Sequence, residues 1–425
     1  MKFFNNMSIE NHMLHLNGHS VKDLAESYGT PLYVLDTDYI KTKCNELKQH
    51  FKHPSLETEI LYASKAFSSK AMYELVNELG LSLDVVSGGE LYTAKASNFP
   101  MDRVYMHGNN KSFAEIQMAL DSGVHRIIVD NLMELEYLQS LNRPVDILIR
   151  INPGIEAHTH EYIQTANDDS KFGISFDSYD LSSAIDICQS SDTVTLHGFH
   201  CHIGSQIHEA SSFEKTASVM LDQIKLLEHK YSLNITELNL GGGFGVYYSK
   251  DQPITDYGFL TDLLNQCSAY ISKQNLKIKK MMIEPGRLLV ANAGSTIYQV
   301  GFTKTTASGK NYVFVDGGMT DNIRPALYQA EYEACIGNKA DLDNDKLYTI
   351  AGKCCESGDI LIKDILLPQA DQEDYLVIAS TGAYGYSMAS HYNRLPKPAV
   401  IMIENGQPKV AIKRETYQDL IQYDL

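Results

Sequence analysis

The sequence has no stretch of about 18 apolar residues, the length a helix needs to cross a bilayer, which argues against a membrane-embedded chain. Positive charge is scarce: 36 lysines and arginines stand against 53 aspartates and glutamates, for a formal charge of −17. So acidic a surface repels phosphate backbones and anionic lipid, and excludes nucleic acid or a membrane as the expected main partner. Cysteine is sparse and odd in number, with seven in 425 residues. Free thiols in a reducing compartment fit that count better than a disulfide framework. Residues 1–12 hold one lysine and no apolar core of the kind a secretory signal needs, so no such signal is expected. Internal repeats and low-complexity runs are lacking too. What is there is 44% hydrophobic and 21% charged residues, an ordinary globular balance, in a chain long enough for two or three domains or a large barrel with an appendage.

Short apolar, β-branched runs stand at Ile60–Tyr62, Leu83–Val86, Val104–Met106, Arg126–Val129, Val145–Ile151, Leu196–Cys201, Glu237–Leu240 and Met281–Ile283. Segments of helical spacing lie between them, as at Ala71–Leu79, Phe113–Leu120, Leu132–Leu141 and Phe213–Leu227. Strands alternating with helices predict parallel pairing, and eight such units predict a closed (β/α)8 barrel of the TIM type over residues 36–290. After about Val290 the pattern turns β-rich, at Ser295–Phe302, Asn311–Val315, Lys346–Ile350, Asp359–Leu366, Asp374–Ala379 and Ala399–Ile403. Residues 291–425 therefore read as an all-β domain, with Asn405–Gly406 as a hairpin turn. The stretch His12–His19, turning at Asn17–Gly18, reads as a further hairpin, and residues 1–35 are expected to join the C-terminal β domain. Asn152–Gly173, polar and rich in His, Asp and Thr, reads either as an active-site loop or as a solvated insertion.

The polar and glycine-rich residues collect just after the predicted barrel strands, where active sites of such barrels form. Lys65 follows the first, Asp84 and Ser87 lie in and after the second, and His107-Gly108-Asn109 follows the third. Asn152 and Pro153 follow the fifth, His202-Ile203-Gly204-Ser205 the sixth, Gly241-Gly242-Gly243 the seventh and Glu284-Pro285-Gly286-Arg287 the eighth. The last two loops are the usual phosphate corner of this architecture. Three glycines allow backbone N–H groups close to phosphate oxygens, although a sharp loop would also want them. A lysine at a strand end among small and apolar residues can be desolvated enough to form a Schiff base, although a lone lysine is usually a solvated charge. A phosphate corner and such a lysine are what pyridoxal 5'-phosphate requires, together with a carboxylate at its ring nitrogen that Glu284 can supply. Glu284 could equally serve as partner to Arg287. His200 and His202 could face one side of a strand, but no carboxylate or thiolate set stands at matching spacing, so no metal is expected. His202 reads better as an imidazole stacked on a cofactor ring, and His200 as a hydrogen-bonded core histidine.

Seven motifs then combine: Tyr62-Ala63-Ser64-Lys65-Ala66, His200-Cys201-His202-Ile203-Gly204-Ser205, Gly241-Gly242-Gly243-Phe244, Glu284-Pro285-Gly286-Arg287, Arg324-Pro325-Ala326-Leu327-Tyr328, Cys355-Glu356-Ser357-Gly358-Asp359 and Gly382-Ala383-Tyr384. In this order, over nearly the whole chain, they resemble the diaminopimelate decarboxylase family of fold-type III pyridoxal phosphate enzymes. The resemblance implies the barrel-plus-β-domain fold shared with alanine racemase and eukaryotic ornithine decarboxylase. It implies that Lys65 binds the cofactor as a Schiff base, that His202 stacks on its ring, that Glu284 contacts the ring nitrogen and that Asp84 supports the site. Ser205, Gly241, Gly242, Gly243, the Glu284–Arg287 turn with Gly286, and Tyr384 are implied to hold the phosphate region. Arg287, Arg324, Tyr328, Glu356 and Tyr384 are implied to bind the substrate, and Cys355 to donate a proton after carbon dioxide leaves. A homodimer with shared active sites follows from the same resemblance, as does conversion of meso-2,6-diaminopimelate to L-lysine, the last step of lysine biosynthesis. The chain departs from the common pattern at Phe67, Ala166 and Lys353-Cys354, where Asn, Gly and Gly-Pro are frequent. The nearest rival is a polyamine-pathway decarboxylase on the same fold. Alanine racemase would place an arginine at the ring nitrogen instead of Glu284, and a non-catalytic relative would have lost Lys65 or Cys355.

Overall fold

The computed structural model describes residues 1–4, 6–155, 170–250 and 252–425, so residues 156–169 of the expected Asn152–Gly173 loop, Ala166 among them, lie outside the described part. The chain divides into two compact units. One is Cys44–Gly245 with Thr255–Gly286, and the other is Met1–Lys43 with Val246–Ile254 and Arg287–Leu425.

The first unit is the barrel. Its strands are β1 (Glu57–Ala63), β2 (Ser82–Val85), β3 (Val104–Met106), β4 (Arg126–Val129), β5 (Val145–Asn152), β6 (Val194–Cys201), β7 (Glu237–Asn239) and β8 (Lys280–Ile283). Each pairs in parallel with the next, and β8 pairs with β1 (Ile283 opposite Ile60), which closes the ring. The helices between them start where a short polar side chain follows a strand. Ser69, Ser87, Ser112, Asn131 and Ser178 each accept the backbone N–H three residues on. Each such cap is worth about 1 kcal/mol and stops the helix from fraying back toward the strand. The helix Phe259–Gln274, between β7 and β8, is an element the sequence reading did not name.

Alternate residues of each strand face the barrel axis, so positions two apart build three interior layers. At the N-terminal end, Glu59 accepts from the Tyr105 hydroxyl at 2.8 Å and from Lys280 at 3.0 Å, while Arg126 forks onto Glu237 at 2.7 and 3.2 Å. Next come Leu61, Tyr105, Ile128, Leu148 and Met282, all essentially inaccessible to solvent. Burial of each is worth about 1.5–3 kcal/mol, so this plug anchors the barrel. Two positions beyond Tyr105, Leu148 and Met282 come His107, Arg150 and Glu284, and beside them Asp84, His200 and Asn239.

The second unit is a mixed β domain. Its main sheet runs Ile360–Leu367, Lys346–Ala351, Asn311–Val315, Gly294–Thr305, Leu32–Asp36, Ala399–Glu404, Gln407–Ile412. Leu32–Asp36, not identified from sequence, lies in the middle: Val34 is opposite Ser295 in an antiparallel pairing and Ile401 in a parallel one. Asn405 and Gly406 make the expected two-residue turn, both with positive φ (50° and 67°), as a primed hairpin turn demands. The N-terminal hairpin is larger than expected. Met7–Glu10, Met13–Leu16 and His19–Ser20 form three strands, and Asn11-His12 adds a second left-handed turn before Asn17-Gly18.

Candidate active site

In the barrel, Glu284 follows β8 and is buried. Its Oε1 accepts from Asn239 Nδ2 at 2.7 Å, and its Oε2 lies 3.1 Å from His200 Nε2. His107 Nε2 stands 3.1 Å from Oε1 and 3.6 Å from Asp84 Oδ1, close enough for ion pairing but not aligned for a hydrogen bond. Burial opposes the charge on Glu284, yet His200 and His107 outweigh it and hold the carboxyl well below the usual carboxylate range. Asp84 behaves in the opposite way. Burial pushes it up to about 7, and the nearby Glu284 charge adds to this against the pull of His107 and Lys65. Burial lowers His200 to about 4, so it is a neutral donor to Glu284. One buried carboxyl thus stays ionised while its neighbour titrates near neutrality.

Lys65 does not sit as the sequence suggested. It is exposed, on the single 3-10 turn Ser64–Ala66 that follows β1. Its neighbours Ala63, Ser64, Ala66 and Phe67 are the buried residues of this turn, so apolar flanks in sequence did not mean an apolar surrounding for the amine. The turn is nevertheless locked onto the β8 loop. Ala63 N–H donates to Pro285 O at 3.2 Å, and a Cβ on Gly286 would lie 2.9 Å from Ala63 O. The Lys65 charge reaches Asp84 and His202.

The glycine triplet is explained by packing against protein. A Cβ on Gly241 would approach Cys201 O to 2.3 Å, one on Gly242 would approach Glu284 O to 2.2 Å, and one on Gly243 would approach Gly204 O to 2.4 Å. Gly241 and Gly243 also have positive φ, 71° and 102°. The loop is therefore wedged between the ends of β6 and β8, and that wedge orients His202, whose Nδ1 accepts the Gly242 N–H at 3.1 Å. Half-buried His202 is kept neutral by desolvation and by the positive charges of Lys65 and Arg150. Ser205, half-buried, follows on the same loop.

Arg150 is a site residue the sequence reading missed, and His107, placed there among the strand-end polar residues, was given no role. Both sit two positions beyond inward-facing core residues, Tyr105 and Leu148, so the strand period carried the signal. Among the described residues His107, His200 and Glu284 are also close enough to hold a metal ion. However, the Glu284 oxygens already serve His200 and Asn239.

In the β unit, Arg287 and Arg324 share a nest of tyrosines. The Arg324 guanidinium lies 5.7 Å from the Tyr248 ring centre, 5.6 Å from Tyr328 and 5.6 Å from Tyr384. Arg287 stands 4.8 Å from Tyr384 and donates to the Tyr248 hydroxyl at 2.7 Å. Tyr384 adopts a left-handed conformation (φ 62°), uncommon outside glycine and typical of residues held for function. Elsewhere in this unit Cys355 and Glu356 are exposed. The adjacent Cys354 is buried, and burial together with Asp359 pushes its thiol up to about 11. Asp359 pins the loop: it accepts from Met319 N–H at 2.6 Å and Cys354 N–H at 2.7 Å, with Gly318 and Gly352 packed on its carboxylate. The acid of the Cys-Glu-Ser-x-Asp motif is thus a scaffold, and Cys355 is the accessible thiol.

Comparison with known proteins agrees with this geometry. Residues 37–291 match the family of pyridoxal-dependent decarboxylases through its pyridoxal binding domain. The diaminopimelate decarboxylase of Bacillus subtilis strain 168 is 47% identical over 97% of this chain and 95% of its own length. This chain belongs to the diaminopimelate decarboxylases. The diaminopimelate decarboxylase of M. jannaschii, solved in complex with L-lysine, superposes with a TM-score of 0.92 at 33% identity, covering 99% of this chain and 98% of that one. A lysine/ornithine decarboxylase of Vibrio vulnificus, at 21% identity and a TM-score of 0.77 over 91% of this chain and 97% of that one, shares the fold. The family places the chain among pyridoxal phosphate-dependent carboxy-lyases with a TIM-like barrel and a β domain. Among the described residues no helix is long and apolar enough to cross a membrane.

The residues fit the cofactor the family implies. Asp84 Oδ1 and His200 Nδ1 are buried without a hydrogen-bond partner among the described residues, beside an ionised carboxylate of the kind a protonated ring nitrogen requires.

Proposed function

We infer that the chain decarboxylates meso-2,6-diaminopimelate to L-lysine and carbon dioxide, the final step of lysine biosynthesis, as a cytoplasmic homodimer. The observation that carries the substrate choice is Arg324, a buried guanidinium in a tyrosine nest. A diamine-forming decarboxylase has only an ammonium to recognise at the far end of its substrate. Diaminopimelate carries a carboxylate there as well, and a guanidinium fork matches it.

When bound, pyridoxal phosphate supplies the electron sink that receives the bonding pair left by departing carbon dioxide. Lys65 would hold its aldehyde carbon, Glu284 would keep the ring nitrogen protonated, and His202 would present an imidazole face to the ring. Asp84 supports Glu284. Ser205, Gly243, Gly286, Arg287 and Tyr384 would hold the phosphate region through backbone N–H groups, hydroxyls and charge, while Gly241 and Gly242, whose N–H groups are taken by Asn239 and His202, would shape the loop there. Arg287, Arg324, Tyr328 and Tyr384 bind the substrate, with Glu356 taking its distal ammonium. Cys355 delivers the proton from Sγ to the carbon that lost its carboxylate. The exposure of Cys355 and Glu356 on the single chain supports their working in a partner copy, and hence the homodimer.

The experiment is direct. Purified protein with meso-diaminopimelate and pyridoxal phosphate should release carbon dioxide and L-lysine in equal amounts. Release of carbon dioxide from ornithine or lysine, and none from diaminopimelate, would overturn the reading in favour of a polyamine-pathway enzyme.

A further inference from the structure

Arg324 is held in a particular way. Its Nε–H donates to the Tyr332 hydroxyl at 2.8 Å, and both side chains are buried. A guanidinium has five N–H groups and two ways to fork onto a carboxylate: side-on through Nε and one terminal nitrogen, or end-on through both terminal nitrogens. Tyr332 occupies the Nε–H and so removes the side-on fork. Among the described residues the terminal nitrogens of Arg324 make no hydrogen bond, which leaves the end-on fork for a ligand.

Tyr332 is itself fixed. Its ring meets the Tyr248 ring edge-on, with centres 5.4 Å apart and planes at 86°. The Tyr248 hydroxyl in turn accepts from Arg287 Nη1 at 2.7 Å. Two tyrosines packed at right angles thus tether one arginine each. Desolvation raises the Tyr332 hydroxyl above its ordinary value, against the pull of Arg324, so it stays a neutral acceptor. A tyrosinate there would neutralise the guanidinium and weaken its hold on an anion.

We propose that Tyr332 is a positioning residue that sets the substrate specificity of this site, by orienting Arg324 so that its terminal nitrogens grip the carboxylate that the substrate retains in the product. The proposal rests on the decarboxylase reading above, in which that carboxylate survives in L-lysine. It predicts that ligands with the retained carboxylate depend on Tyr332 and that ligands without it do not.

The test uses the holoenzyme of wild type, Tyr332→Phe, Arg324→Ala and the double variant, with L-lysine and cadaverine as paired probes. The two ligands differ by one carboxylate. In Tyr332→Phe the dissociation constant for L-lysine, measured by calorimetry, should rise about tenfold while that for cadaverine stays within about twofold. KM for meso-diaminopimelate should rise in step with the L-lysine constant, with kcat nearly unchanged. In the Arg324→Ala background, Tyr332→Phe should add nothing to the loss of L-lysine binding, because the hydroxyl acts through the arginine. Equal weakening of both probes, or an undiminished effect of Tyr332→Phe without Arg324, would show a merely structural residue and overturn the proposal. So would an unchanged L-lysine constant. A wild type that turns over no diaminopimelate would instead bring down the parent reading, so the two failures are told apart by the wild-type control.

Discussion

The two ends of the barrel interior carry similar numbers of ionisable groups and treat them differently. At the N-terminal end every charge meets a geometric complement. Arg126 forks onto Glu237, and Glu59 accepts from Tyr105 and Lys280. At the C-terminal end Asp84 Oδ1, His107 Nε2 and His200 Nδ1 are buried without a hydrogen bond among the described residues. One carboxyl is held ionised and its neighbour is raised to about 7. Between the two ends lies the apolar plug of Leu61, Tyr105, Ile128, Leu148 and Met282. A closed network serves the fold, whereas unmet polar atoms are what a ligand would satisfy, so the imbalance itself marks the functional end.

The contrast can be broken by substitution. Arg126→Met strands Glu237 as a buried charge and should cost about 3–5 kcal/mol of stability, with kcat of the folded enzyme little changed. Urea unfolding and steady-state rates on the same preparation check this. A large fall in kcat with an unshifted urea midpoint would contradict the division of labour. Glu284→Gln is the mirror experiment. It keeps the volume and a partner for Asn239 but loses the charge, so activity should fall about 10²–10³-fold while cofactor-free stability moves by less than about 1 kcal/mol. In the β unit, Arg324→Ala should lower kcat/KM by about 10- to 100-fold, mostly through KM, with the visible absorbance of the bound cofactor intact. The smallest effect concerns pH. Asp84 is raised to about 7 in the folded protein, so it takes up a proton on folding between its unfolded value and about 7. Its contribution to stability is full below the unfolded value and is lost as pH rises through about 7. Melting temperatures of cofactor-free protein between pH 4 and 7 should therefore decline less steeply in Asp84→Asn. An identical slope would sink this assignment.

Much of this was legible in the sequence because strands buried on both faces read as unbroken apolar runs. Val104–Met106 and Arg126–Val129 are strands over just the residues their composition indicates. Leu32–Asp36 escaped because its pairing partners, Gly294–Thr305 and Ala399–Glu404, lie hundreds of residues away, and a single five-residue run does not say which sheet it joins. In the site, the residue types that carry the chemistry announced themselves at strand ends. Their supports did not. Arg150 looks like an exception within an apolar strand until the two-residue period is followed from Leu148, and His107, visible at a strand end, shows its place beside Glu284 only through the same period from Tyr105. The glycine triplet was visible as a loop, but its reason is the backbone of Cys201, Gly204 and Glu284, residues brought beside it only by closure of the barrel. Nor could sequence foresee that Lys65 is exposed in the chain alone, because exposure depends on how the turn after β1 projects.

The group that binds the cofactor in this reading is the amine of Lys65. Borohydride reduction of the purified enzyme followed by peptide mass mapping tests it most directly. A pyridoxyl adduct confined to the peptide containing Lys65 is the predicted result. An adduct on a different lysine, in protein that still forms L-lysine from diaminopimelate, would contradict it.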